Sequence, residues 1–151
     1  MNEQILNKIS KIKDELSRYN YEIPDAVDDN SLQEFKTEYN KQFGVDVDDN
    51  YIDFIKIIDG LDFNGARIYA SEDRKKQNDI MGIFETNKLW KMDDGNEKNY
   101  VYFGDSDLEV FVLDIPNNKY QSISRYTGDI IKEFNNLDEM VLYILNLMLK
   151  S

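Results

Sequence analysis

The 151-residue chain contains no cysteine and no histidine, and it has only two prolines and a single tryptophan. Without cysteine it can form neither a disulfide nor a thiolate nucleophile. Because it lacks cysteine and also histidine, it cannot build a zinc site of the usual Cys/His kind. Catalysis by serine–histidine or cysteine–histidine pairs is excluded for the same reason. The absence of cysteine fits a reducing compartment, so we expect a cytoplasmic protein.

Several motifs and segments are also missing. The sequence has neither a G-x-x-x-x-G-K-[ST] phosphate loop nor a G-x-G-x-x-G fingerprint. No apolar run approaches the roughly 18–20 residues that cross a membrane. The first residues, Met1 to Gln4, lack the basic and apolar regions of a signal peptide. We therefore expect a soluble protein that has no membrane partner.

Basic residues are scarce beside acidic ones. Thirty aspartates and glutamates face eighteen lysines and arginines, which gives a formal net charge of −12. Such a chain should repel nucleic acid and anionic lipid and attract basic proteins, with faster association at low salt. The alternative is that the acidity only keeps the protein in solution.

Apolar residues at helical spacing predict two helices near the start of the chain. The first covers roughly Glu3 to Tyr19, with its apolar stripe ending at Tyr19. The second opens at a capping box, in which the Ser31 hydroxyl and the Glu34 carboxylate satisfy each other's backbone amides. It should end at Gly44, which can adopt the left-handed conformation.

Two further helices follow from the same reasoning. The third is capped by Asp48 or Asp49, is buried on more than one side and ends at Gly60. The last begins at Asn136, with acidic residues at its positive end. The apolar stripe of this last helix comprises Leu137, Met140, Val141, Ile144, Leu145 and Met148.

The middle of the chain predicts strands. Residues 67–70 form a short strand, and Tyr100–Phe103, Val110–Leu113 and Tyr120–Tyr126 are rich in aromatic and β-branched residues. Their connections, one of which contains Gly104, are too short for parallel crossovers, so the sheet should be antiparallel. Helices first, strands next and a helix last predict one α+β domain, an antiparallel sheet flanked by N-terminal helices and a C-terminal helix. We expect residues 1–30 to form the first helix and a linker, and residues 31–151 to form the core.

Three segments are less regular. Residues 73–78 are polar and predict an exposed loop, and residues 93–96 predict a turn. Residues 80–92 fit a helix or a strand, and both alternatives stay open.

Two acidic segments, residues 46–50 and 105–109, begin like calcium-binding loops. An EF-hand loop needs glycine at its sixth position and glutamate at its twelfth, and in both segments other residues stand there. We therefore predict no metal site, although carboxylates alone could hold a cation weakly at residues 105–109. No nucleophile–base pair is visible, so we predict no catalytic residues; a carboxylate enzyme is the weaker alternative.

The segment from Asp59 to Tyr69 resembles the helix–turn–strand signature of the SUKH superfamily (Smi/Knr-type domains), and its YrhA-like branch in particular. Phe103–Ser106 resembles the second marker of that family, a strand that ends in a Gly-Asp turn, and the strand at 110–114 follows it there too. The resemblance covers roughly residue 31 to the C-terminus. Many members carry further glycines where this chain has residues 107–109, Asp-Leu-Glu.

The resemblance implies an α+β fold with an antiparallel sheet, no cofactor and no catalysis. Bacterial members are mostly immunity proteins that bind and neutralise toxins, often nucleases, whereas fungal relatives are scaffolds in cell-wall regulation. We therefore expect a protein partner, most simply a basic toxin domain, and no nucleic acid. The alternative is a scaffold or regulatory module with an endogenous partner. A fold does not name its partner.

Acidic residues gather where the predicted elements end, and binding residues concentrate at such positions. Acids at turns also cap and solvate, which is the alternative role. Phe63 is the candidate apolar anchor, with core packing as its alternative. The candidate partner-binding residues are Asp59, Asp62, Phe63, Asn64, Asp93, Asp94, Asp105, Asp107 and Glu109, and the structural glycines are Gly60, Gly65 and Gly104.

Overall fold

Five α-helices and six β-strands make up the part of the chain that the computed structural model describes, which is residues 1–74, 79–93 and 99–150. In chain order they are α1 (Glu3–Arg18), α2 (Leu32–Phe43), α3 (Asp49–Ile55), β1 (Leu61–Phe63), β2 (Ala66–Ile68), α4 (Ile83–Asp93), β3 (Tyr100–Ser106), β4 (Glu109–Asp114), β5 (Lys119–Ser124), β6 (Ile130–Phe134) and α5 (Leu137–Leu149). A 3-10 turn (Asp29–Ser31) precedes α2.

The six strands form one antiparallel sheet in the order β1-β2-β3-β4-β5-β6. Each strand pairs with the next along the chain, as short connections require. The predicted α+β fold, with helices before the sheet and a helix after it, is confirmed. Residues of every helix from α1 to α5 and of every strand contribute to one apolar core.

The sheet has an inner face that packs on helices and an outer face. Phe103 contacts Tyr51 of α3, and Phe111 contacts Tyr143 of α5, so these side chains define the inner face. Side chains alternate along a strand, which places Val110 and Val112 on the outer face.

A bulge in β3 between Tyr102 and Gly104 shifts the register. Tyr102 therefore pairs with Val112, while Asp105 pairs with Val110. Without this extra residue, positions 102 and 105 would lie on opposite faces. The bulge brings both side chains to the outer face.

The first helix is confirmed, with a corrected end. Its buried residues are Ile5, Ile9, Ile12 and Leu16. Tyr19, however, lies beyond the helix and is 59% exposed. The chain turns there because Asn20 adopts a positive φ of 61°.

The predicted capping box of α2 is wrong. Ser31 already has helical backbone angles, φ −89° and ψ −13°, and its side chain makes no capping hydrogen bond. A cap needs an extended residue, and here Asp28 fills that role for the 3-10 turn by accepting from the Asn30 amide at 3.0 Å. The predicted stop at Gly44 is confirmed, with φ 75°.

Asp48 caps α3 by accepting from the Asn50 amide at 2.8 Å, which decides between the two predicted caps. The helix ends at Ile55, so Gly60 is not its stop. Gly60 instead leads into β1 with φ 92°, where a Cβ atom would lie 2.8 Å from that of Ala70.

Between Gly60 and the predicted strand at residues 67–70, the chain forms strand β1 and then a tight turn. Asn64 and Gly65 form the turn between β1 and β2, with φ values of 51° and 79°. Two central residues with positive φ are typical of a two-residue hairpin, and Asn-Gly is its strongest sequence signal. The Asp59–Tyr69 segment therefore leads into the sheet as a hairpin.

Gly104 was expected in a loop but lies inside β3, and the turn to β4 is formed by residues 107–108. A Cβ atom at Gly104 would lie 2.2 Å from the carbonyl oxygen of Arg67 on β2. The glycine is therefore required by the close approach of two strands.

Elsewhere, α4 settles the open segment 80–92 as a helix from residue 83 onward, and β6 is a strand that was not predicted. Asn136 accepts from the Glu139 amide at 2.9 Å, and the whole predicted stripe of α5 is buried, so both predictions are confirmed. In the predicted loop, Arg74 is half-buried rather than exposed; residues 75–78 and 94–96 lie outside the described residues.

Candidate protein-binding groove

A row of charged residues crosses the outer face at its β1 edge. Asp62, Arg67 and Asp105 are register partners on β1, β2 and β3. The Arg67 guanidinium donates to Asp62 from Nε at 3.2 Å and to Asp105 from Nη1 at 2.8 Å. Burial lowers the pKa of Arg67, but the charges of Asp105 and Asp62 outweigh it and raise the pKa overall. The row is thus a fixed ion triad.

Asp105 also anchors an aromatic chain of hydrogen bonds. The Tyr69 hydroxyl donates to Asp105 Oδ2 at 2.6 Å and accepts from Trp90 Nε1 at 2.9 Å. Burial, followed by the charge of Asp105, holds the pKa of Tyr69 well above its ordinary value, so the hydroxyl keeps its proton. Both carboxylate oxygens of Asp105 are therefore occupied by donors of its own chain.

The side chain of Asn87 joins helix α4 to strand β3 through two hydrogen bonds. Asn87 donates to the Tyr102 carbonyl oxygen and accepts from the Tyr102 amide, both at 2.8 Å, where β3 extends beyond the paired residues of β2. The amide thus continues the hydrogen-bond ladder of the strand.

This docking places the Trp90 ring on that of Tyr102, with centroids 5.6 Å apart and planes at 16°. The Arg125 guanidinium lies 5.3 Å from the Trp90 ring and donates to the Ser106 carbonyl oxygen at 2.8 Å. The Trp90 side chain of α4 therefore packs between the outer face of the sheet and Arg125.

A groove runs along α4 on either side of Trp90, and we call it the α4 groove. It consists of a cleft of about 540 Å³ and an adjoining pocket of about 170 Å³. The described residues of the cleft are Arg67, Met81, Thr86, Leu89, Trp90, Met92, Asp93, Asp105 and Arg125. Those of the pocket are Trp90, Asp93, Tyr100, Tyr102, Val110, Val112, Ile123, Ser124, Arg125 and Gly128.

Two apolar side chains of α4 stand open to solvent at the cleft. Leu89 is 57% exposed and Met92 is 79% exposed. Large exposed apolar side chains beside ordered charged groups are typical of protein-binding surfaces, where a polar rim surrounds an apolar centre.

A second cleft, of about 520 Å³, lies between residues 25–34, α2 and residues 71–74. Its ionisable lining consists of Asp25, Asp28, Glu34, Glu38, Asp59, Glu72 and Arg74. Six acids against one arginine give this side of the protein a strong negative field.

The structure brings three of the predicted residues to the α4 groove. Asp105 and the exposed Asp93 line it, and Asp62 joins it through Arg67. Asn64 and Asp107 lie elsewhere, on adjacent turns at one end of the sheet, where a Cβ on Gly65 would be 3.5 Å from Asp107 Oδ2. Asn64 is exposed and donates to the Met148 carbonyl oxygen at 2.6 Å.

Asp59 is not a surface residue, which corrects its prediction as a partner contact. It is 0% exposed and accepts from the Ser71 amide and hydroxyl at 2.7 Å and from Arg74 at 2.9 Å. Burial raises the pKa of Asp59 in spite of the Ser71 hydrogen bonds and the Arg74 charge, which lower it. Its place is structural.

Three more candidates are buried, and one of them is Asp105, which is 4% exposed. Phe63 is 7% exposed and belongs to the apolar core, so its alternative role is the correct one. Glu109 is 8% exposed and accepts from the Ser122 hydroxyl at 2.6 Å and the Tyr143 hydroxyl at 2.7 Å. None of these three side chains is open to a partner in this conformation. Asp94 lies outside the described residues.

Sequence reasoning missed Arg67, Leu89, Met92 and Arg125 as groove residues. The three-residue spacing of Leu89 and Met92 is a helical signal, but residues 80–92 as a whole fit a helix or a strand. Arg125 carried no signal, because nothing near it in sequence indicates that it meets Trp90.

Within residues 1–74, 79–93 and 99–150, no group of three or more acidic side chains is placed to hold a metal ion. No helix in those ranges has the length and apolar character that crossing a membrane requires.

The chain was compared with protein-family models, curated proteins and solved structures, and none of the three searches found a match. The resemblance to the SUKH superfamily stays a prediction from the residues named above.

Proposed function

We propose that this chain is a non-catalytic protein-binding domain of the immunity type, which binds a basic toxin domain such as a nuclease and blocks it. The observation that carries the proposal is the α4 groove, where Leu89 and Met92 are open to solvent beside the fixed ion triad. Apolar side chains of this kind gain contact energy when a partner covers them.

The charge of the chain supports a basic partner. The net charge is −12, and the second cleft presents carboxylates almost alone. A nuclease surface that holds phosphate is basic, so the two molecules attract each other over a distance comparable to the Debye length, about 8 Å at physiological salt. Charge then speeds association, while the apolar groove slows dissociation. The proposal keeps the expectation of a cytoplasmic protein, which the lack of cysteine supports.

Co-expression with the product of the adjacent gene tests the proposal. The wild type should restore growth when that product is toxic, and the two proteins should co-purify. Met92→Asp should weaken the complex about tenfold or more, since it places a charge in a desolvated centre. The matched control is Leu6→Asp on α1, where the leucine is 39% exposed and lies away from the groove. It should bind like the wild type.

Three results would contradict the proposal. The first is a toxic neighbour from which the chain neither rescues growth nor co-purifies. The second is a Met92→Asp variant that binds as tightly as the wild type and Leu6→Asp, which would place the interface outside the groove. The third is turnover of a small compound by the purified chain.

A further inference from the structure

The pocket beside Trp90 combines an apolar interior with a charged rim. Its described apolar residues are Trp90, Tyr100, Tyr102, Val110, Val112 and Ile123. Its volume of about 170 Å³ is close to that of a protein cavity that holds one benzene molecule, about 150 Å³. The pocket therefore has room for one large apolar side chain.

Arg125 stands at the rim of this pocket and also lines the larger cleft. Within the described part of the chain, its side chain makes one hydrogen bond, from Nη1 to the Ser106 carbonyl oxygen at 2.8 Å, and no carboxylate there lies within ion-pair distance. Arg67, in the same groove, is already paired with two carboxylates. Among the described residues of the groove, Arg125 is therefore the cation that can still bind an anion.

The Trp90 ring and the Ser106 carbonyl oxygen fix the position of the Arg125 guanidinium. A guanidinium has five N–H donors in a planar fork, so one bond to a carbonyl leaves donors for a carboxylate. Ordering the arginine in advance lowers the entropy that binding a ligand would cost.

We infer that this pocket receives the C-terminal residue of a partner protein, with its apolar side chain among the rings and valines and its α-carboxylate on Arg125. An α-carboxylate and an apolar side chain on one residue match an apolar pocket whose described rim carries the unpaired cation Arg125, with the exposed Asp93 as its other charged residue. Capture of a chain terminus by its carboxylate is a known recognition mode. The inference rests on the proposed function, because it takes a protein as the ligand.

Trp90 is the only tryptophan, so its fluorescence reports on the pocket directly. The probe is N-acetyl-phenylalanine, titrated into the full chain. It should shift the Trp90 emission and saturate with a Kd of about 1 mM, as expected for a ligand of this size. Its C-terminal amide, which lacks the charge, should bind about tenfold more weakly.

Arg125→Gln should remove the difference between the acid and the amide. Because Arg125 is exposed, this variant should fold. The matched control is Arg18→Gln on α1, whose arginine pairs with Glu15 at the surface, and it should keep the full difference. A third probe, acetyl-Asp-Phe-amide, carries the same groups with the carboxylate on the neighbouring side chain, and it should bind as weakly as the amide.

The inference is overturned if no probe perturbs Trp90 up to its solubility limit, or if the acid and the amide bind equally. Equal binding of acetyl-Asp-Phe-amide and the acid would overturn the assignment to a chain terminus. The growth-rescue test does not depend on this pocket. Rescue without probe binding therefore refutes the inference alone, and probe binding without rescue refutes the proposed function alone.

Discussion

The hydroxyl of Tyr69 donates to the carboxylate of Asp105 at 2.6 Å. Tyr69 follows β2 and Asp105 lies in β3, so this bond joins consecutive parts of the sheet. The same hydroxyl accepts from Trp90 of α4, and the other oxygen of Asp105 accepts from Arg67. One hydroxyl therefore connects the helix, the ion triad and the α4 groove.

Removing that hydroxyl should destabilise the protein. Tyr69→Phe keeps the ring but leaves the Trp90 Nε1–H and Asp105 Oδ2 each without a partner, at a cost of about 1–3 kcal/mol. Urea denaturation measures the change in the free energy of unfolding. The matched control is Tyr126→Phe, whose hydroxyl donates to the Asp107 carbonyl oxygen at 3.1 Å while the residue is 77% exposed. If both variants lose the same stability, the buried hydrogen bonds of Tyr69 contribute no more to stability than the exposed hydrogen bond of Tyr126.

Gly104→Ala tests the close approach of β2 and β3. The new methyl group would lie 2.2 Å from the Arg67 carbonyl oxygen, so the two strands must separate. We expect a loss of about 3 kcal/mol or more in the free energy of unfolding, together with loss of the β2–β3 hydrogen bonds in hydrogen exchange. Gly128→Ala is the control, because open space surrounds its Cβ position, although its φ of 78° adds strain of about 1 kcal/mol. Equal effects in the two variants would contradict the steric argument.

The parts of the fold that local patterns specify were predictable. The apolar stripe of α5 follows from the spacing of its residues, and the left-handed stop of α2 follows from a single residue, Gly44. Both predictions are confirmed. Strand β1 was missed because three residues are too few to show alternation. Gly104 was misplaced because its requirement comes from Arg67 on another strand, which the sequence does not place beside it.

The site was less predictable than the fold, for a physical reason. Acidic residues near turns are predicted as surface contacts, yet Asp59, Asp105 and Glu109 are buried, because each meets donors that lie 12 to 38 positions away. Burial of a charge depends on such partners and not on the residue itself. The groove likewise depends on Trp90 meeting Arg125, 35 positions further along the chain, a contact that tertiary structure alone creates.

Asp59 gives the stability of the protein a defined pH dependence. Burial raises the pKa of Asp59 in the folded protein above the ordinary value of 3.8, which applies to the unfolded chain. At pH values between the unfolded and the folded pKa, the folded state therefore holds the proton more tightly than the unfolded state. The contribution of Asp59 to the free energy of unfolding is therefore greatest below about pH 4 and declines as the pH rises to the folded pKa. The total decline is about 1.4 kcal/mol for each unit that separates the folded pKa from the unfolded pKa.

Asp59→Asn cannot ionise and should lack this decline. The stability of the wild type relative to Asp59→Asn should therefore fall as pH rises, as measured by urea denaturation at a series of pH values. Ser71→Ala should extend the decline to higher pH, because the Ser71 hydroxyl donates to Asp59 and lowers its pKa. A relative stability that rises with pH would show instead that the Arg74 ion pair outweighs burial.

Gln121 is a buried polar residue whose replacement should stabilise the protein. It is 4% exposed on the outer face opposite Val112, and its side-chain oxygen is buried with no hydrogen-bond partner among the described residues. Gln121→Leu has a similar volume and removes the desolvated oxygen, so the free energy of unfolding should rise by about 1–2 kcal/mol. Gln33→Leu, at an exposed position of α2, should change it by less than about 0.5 kcal/mol. A loss of stability in Gln121→Leu would mean that the Gln121 amide makes a stabilising hydrogen bond, which leucine cannot make. It would also mean that a polar residue is favoured at this position of the outer face.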